Sequence, residues 1–89
     1  MAALFFSTLE TFNGVQIVNV NLPASMGVTP LNSNILVAAS QIDGTGSPFI
    51  GDASIQILNV APFENGVKVR VNVLWNSPIQ FRLAFVIWP

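Results

Sequence analysis

The sequence predicts an all-β fold, a small antiparallel β-sandwich of about six strands in one domain, residues 1–89. Three observations carry this. Val, Ile, Phe, Thr and Asn dominate, while the long charged helix formers are scarce. Gly and Pro recur about every ten residues and cut the chain into short runs. Several runs alternate apolar and polar residues with the period of two of a half-buried strand.

The segments follow in order. LFFSTLETF (4–12) is a first strand, or else residues 1–12 form an irregular arm. Asn13-Gly14 is a strong turn dipeptide. VQIVNVNL (15–22) alternates with one phase slip at Ile17–Val18, which predicts a β-bulge. Residues 23–34 and the Gly-rich 43–52 read as loops. ILVAASQI (35–42) is apolar on both faces and reads as a central strand covered on both sides. ASIQILNV (53–60), GVKVRVNVLW (66–75) and IQFRLAFVIW (79–88) complete the set.

The last two segments read as a hairpin closed by Asn76-Ser77-Pro78. Leu74 would then face Gln80, Asn72 would face Arg82, and Arg70 would face Ala84. Opposed residues in a ladder point to one side. Lys68, Arg70, Asn72, Gln80 and Arg82 therefore gather on one face. Val67, Val69, Val71, Val73, Phe81, Leu83, Phe85 and Ile87 fill the core side. All three cations of the chain would share that one face, which looks out on solvent, a subunit interface or an anionic ligand.

Composition restricts what such a domain does. A chain of 89 residues buries only roughly two-thirds of its unfolded surface, so its own core supports it marginally. There is no cysteine for a disulfide. With no His either, only Glu10, Asp43, Asp52 and Glu64 could ligate a metal, so no metal and no cofactor are expected. Hydrophobic residues make up 52% and charged residues 8%, far below the roughly 25% charge of an ordinary soluble domain. Sister subunits covering apolar surface are the expected remedy, and Trp88, on the polar-side face near the C-terminus, is one residue they would cover. A net charge of −1 speaks against a nucleic-acid partner. No apolar run reaches the roughly 18 residues of a spanning helix. The opening MAALFFSTLE lacks a basic stretch and a cleavage site, so it is not read as a signal peptide.

The same inventory argues against an enzyme. His, Cys and Tyr are all absent. Asp43 and Asp52 flank one loop and could form a carboxylate pair, but acids at loop ends ordinarily solvate turns. The Gly44-Thr45-Gly46 step lacks the residues of a phosphate loop. Trp75, beside Asn76 at a strand tip, either stacks on a sugar ring or covers the end of the core.

The run SQIDGTG…ASIQILNVAPFENGVKVRVNVLWNSPIQFRLAFVIW, over about residues 35–88, resembles the H-type lectin domain. The resemblance rests on Gln41-Ile42-Asp43, Asn59-Val60, Gly66-Val67, Trp75-Asn76-Ser77 and Val86-Ile87-Trp88. It implies a six-stranded sandwich, a homotrimer, and galactose or N-acetylgalactosamine bound in grooves between subunits. By that likeness Trp75 contacts sugar, with Asn76, Asp43 and Arg82 as polar partners. Lys68, Arg70, Asn72, Gln80 and Trp88 are the candidate interface residues. No arginine stands at the start of DASIQ, where that family carries its sugar-binding arginine. The leading expectation is thus a metal-independent, lectin-like oligomer with its groove near residues 75–78. The alternative is a structural β-sandwich subunit of a phage, virion or other assembly, with no small ligand.

Overall fold

A computed structural model describes residues 3–88; residues 1, 2 and 89, which the single-domain reading includes, lie outside them. The fold is all-β, with seven strands in two antiparallel sheets. The strands are β1 (Leu4–Phe12), β2 (Gly14–Asn21), β3 (Asn34–Ile42), β4 (Pro48–Phe49), β5 (Ser54–Phe63), β6 (Gly66–Leu74) and β7 (Ile79–Trp88). One sheet has the order β1-β7-β3-β4 and the other β2-β6-β5. The region read as arm or strand is strand from Leu4 onward.

The alternation assigned the core correctly. Val67, Val69, Val71 and Val73 of β6 and Phe81, Leu83, Phe85 and Ile87 of β7 are all almost completely buried. They form one cluster with Phe12, Val20, Leu22 and Val28. Phe81 meets Phe12 edge to face, with ring centroids 5.0 Å apart. That geometry sets the positive edge of one ring on the negative face of the other.

The expected β6–β7 hairpin is not formed. β6 is the middle strand of the three-stranded sheet, and β7 lies between β1 and β3 in the other. Residues 75–78 carry the chain from one sheet to the other. The inward residues of both strands still meet, but across the core instead of side by side. A period of two records which face of a strand is buried, and both arrangements bury the same residues. Asn13-Gly14 makes a similar crossing, with Gly14 at φ 77°, a left-handed conformation that glycine adopts without strain.

Three further expectations change. The β2–β6 register runs unbroken from Gly14 to Asn21, so no bulge sits at Ile17–Val18. Ile17 faces outward opposite Arg70, and Gln16 faces inward opposite Val71. The irregularity lies in β5 between Ile57 and Asn59, where Leu58 is the extra residue. β5 also runs on through Pro62, which an edge strand tolerates because its free side needs no N–H donor. The loop read at 43–52 contains the two-residue strand β4, which pairs only with Gln41 and Ile42. β3 thus has one full neighbour, β7; separately, its outward residues Leu36 and Ala38 are exposed, because no described element packs on the outer side of the sheet. The double cover expected of ILVAASQI is not supplied by the described residues.

Candidate functional site

Residues of β7 alternate, so Gln80, Arg82, Ala84, Val86 and Trp88 point away from the core. Register then fixes their neighbours. Arg82 lies between Leu9 of β1 and Ser40 of β3, and Ala84 between Ser7 and Ala38. Val86 lies between Phe5 and Leu36, and Trp88 beside Asn34. Phe5, Leu9, Leu36, Ala38, Ala84, Val86 and Trp88 are the apolar residues of this outer face, interleaved with Ser7, Thr11, Asn34, Ser40, Gln80 and Arg82. Phe5 is 72% exposed, Leu36 64%, Leu9 61% and Trp88 37%. Among the described residues Arg82 is its only charged side chain. Beside the guanidinium a groove of about 510 Å³ opens, lined by Phe5, Ser7, Ala84 and Val86 among others.

Lys68 and Arg70 lie on the opposite side of the molecule. They project from β6, with Asn19 and Ile17 of β2 on one flank and Ala61 and Asn59 of β5 on the other. A smaller hollow of about 140 Å³ lies between them. Asn72, on the same face, donates from Nδ2 to Gln56 Oε1 at 3.3 Å. The single cationic face expected from the hairpin is therefore split: Lys68, Arg70 and Asn72 on one outer face, Gln80 and Arg82 on the other. The cause is the sheet-to-sheet crossing at 75–78.

The candidate sugar-contacting residues separate in the same way. Trp75 is 43% exposed at the end of β6, with Asn76 next to it. Asn13 Nδ2 donates to the Trp75 carbonyl at 3.4 Å, which ties the two sheet crossings together. Asp43 follows β3 at this same end, since Gln41 pairs with Phe81 near the start of β7. Its Oδ1, however, accepts from Thr45 N at 2.8 Å, Thr45 Oγ1 at 2.6 Å and Ser47 N at 3.0 Å. Those bonds, the Thr45 hydroxyl first, hold the carboxyl below the ordinary aspartate range. Asp43 thus braces the β3–β4 turn. Arg82 sits three residues inside β7, about 10 Å along the strand from Ile79, and its groove does not include Trp75.

Sequence reasoning did not find Asn13 or the groove residues Phe5 and Ser7. Only the pairing of β1 with β7 brings Phe5 and Ser7 to Arg82, and no local pattern encodes that pairing. Asp52 and Ser54 reach the Trp75 end through the pairing of Ser54 with Leu74. Among the described residues no group of three or more acidic, His or Cys side chains could hold a metal. No helix among the described residues is long and apolar enough to cross a membrane. Comparison with protein families, curated proteins and solved structures finds no match.

Proposed function

We propose that the protein is a non-enzymatic, self-associating β-sandwich module, a building block whose working form contains several copies of the chain. The observation that carries this is the outer face of the four-stranded sheet. Phe5, Leu36 and Trp88 stand exposed there, joined by Ala38, Ala84 and Val86 into one surface, with Leu9 exposed beside Arg82. Contiguous apolar surface of this kind marks an interaction site in a soluble protein. A second copy is the favoured occupant because the chain has too few charged residues, 8%, to keep two broad sheet faces in water as a monomer. A closed ring, with a homotrimer as the form the lectin resemblance implies, meets that need.

Trp88 reports on the face directly. In Trp75→Phe it is the sole tryptophan, since the chain has two. Its emission should be blue-shifted and protected from acrylamide at high protein concentration, and both properties should be lost on dilution. Emission of a freely quenched indole at every concentration would refute the reading.

A second reading is favoured by the exposed Trp75 rim. Trp75, Asn76 and Asn13 converge at one end of the sandwich, where an aromatic face beside amide groups suits a sugar ring. Together with the likeness to H-type lectins, this supports a galactose-type ligand held at the rim of the assembly. Titration with galactose and N-acetylgalactosamine tests it. Binding lost in Trp75→Ala supports it, whereas no binding, or unchanged binding by the variant, sinks it.

A further inference from the structure

The distribution of charge over the two faces and the turns specifies how copies meet. All three cations lie on the flat outer faces: Arg82 on one, Lys68 and Arg70 on the other. Among the described residues neither face carries an acidic side chain. Three of the four acids stand in turns at the rim: Asp43, Asp52 and Glu64. The fourth, Glu10, points inward from β1 opposite Phe81. Stacking the Arg82 face on its own twofold copy would bury guanidinium groups with no counter-charge, which is costly. Rim against face pairs opposite charges instead.

We propose that the β4–β5 turn of one copy docks on the Arg82 face of the next, with Ile50 in the groove and Asp52 paired to Arg82. This deepens the assembly reading and rests on it. Two observations single out this turn. Ile50 is fully exposed, at 101%, at the turn's tip, and Asp52 follows two residues later. Leu31, at 94%, is the other apolar knob of comparable exposure, and no acid lies near it in sequence. Glu64 has an apolar neighbour in Phe63, but that ring is partly buried and faces its own chain. On the receiving side, the groove beside Arg82 is the larger of the two cation-lined hollows, about 510 against 140 Å³, and Phe5 forms its apolar wall.

Knob and groove are different surfaces of one molecule, so the contact is heterologous. Repeated, it generates a closed ring, or a filament where the rotation does not close. The turn lies at the β4 edge and the groove over β1 and β7, so each copy offers both at once to different neighbours.

The test uses native mass spectrometry and size-exclusion chromatography on Arg82→Glu, Asp52→Arg, Ile50→Asp and the swapped double variant Arg82→Glu/Asp52→Arg. Each single substitution should weaken association roughly thirtyfold or more, with the circular dichroism of the fold unchanged. The charge-swapped double variant should recover the wild-type assembly. Mixing Ile50→Asp, which keeps an intact groove, with Arg82→Glu, which keeps an intact knob, should give a one-to-one pair that grows no further. If wild type assembles and the single substitutions leave it intact, or if neither the swap nor the mixture restores association, this contact is wrong while self-association stands. A monomeric wild type overturns both.

Discussion

Leu36→Thr separates a covered face from a bare one. Leu36 points outward from β3, opposite Val86, and is 64% exposed in the single chain. Burying a leucine side chain fully is worth about 1.5–3 kcal/mol. Covering the part still exposed is then worth about 1–2 kcal/mol. Threonine suits a strand and removes most of that apolar area. The isolated chain should change by only about 0.5 kcal/mol, as exposed positions do. Association should weaken roughly five- to thirtyfold for each contact the side chain makes. Sedimentation equilibrium measures the second quantity, and urea unfolding at a dilution that separates the copies measures the first. Val37→Thr is the internal comparison. Val37 is the next residue but faces inward against the core cluster, so its loss should lower unfolding stability at every concentration. Unchanged association in Leu36→Thr would refute a covered face. Like behaviour of the two neighbours would refute it equally.

Other outcomes follow from single atoms. Thr8 Oγ1 is buried on the inner face with no hydrogen-bond partner, so the near-isosteric Thr8→Val should raise unfolding stability by about 1 kcal/mol in a denaturant titration; a loss of stability would show that the hydroxyl has a partner. At Gly66, an added Cβ would run into the Phe63 ring and come within 2.7 Å of the Val20 carbonyl oxygen. Gly66→Ala should therefore cost about 1–3 kcal/mol in thermal or urea unfolding, and an unchanged midpoint would contradict the close approach. Asp43 has a folded pKa below its ordinary value, so its charge stabilises the fold above about pH 4, and this is lost as pH falls through the lowered folded value. Wild type should be more stable than Asp43→Asn at neutral pH, and the two should converge in acid. A gap that widens on acidification would reverse the sign.

The lesson for sequence reading lies in β6 and β7. Alternation over Val67–Val73 and Phe81–Ile87 identified eight buried side chains, because facing is encoded every second residue. Which strands lie side by side is encoded in the connections, and Asn76-Ser77-Pro78 looks alike as a hairpin turn and as a passage between sheets. That one ambiguity placed Arg82 with Lys68 and Arg70 and drew Arg82 toward Trp75. ILVAASQI was legible as apolar on both faces, but not as leaving Leu36 and Ala38 exposed in the single chain. Asp43 was legible as a turn residue as readily as a ligand, and its three accepted bonds favour the turn.

The central claim is that the outer face of the four-stranded sheet is covered by other copies of the chain. Sedimentation velocity of the wild-type protein at low micromolar concentration tests it most directly. A face covered by other copies gives a species whose mass is a multiple of the 9.6 kDa chain, dissociating on dilution. A well-folded species of 9.6 kDa, unchanged across concentration, would contradict it.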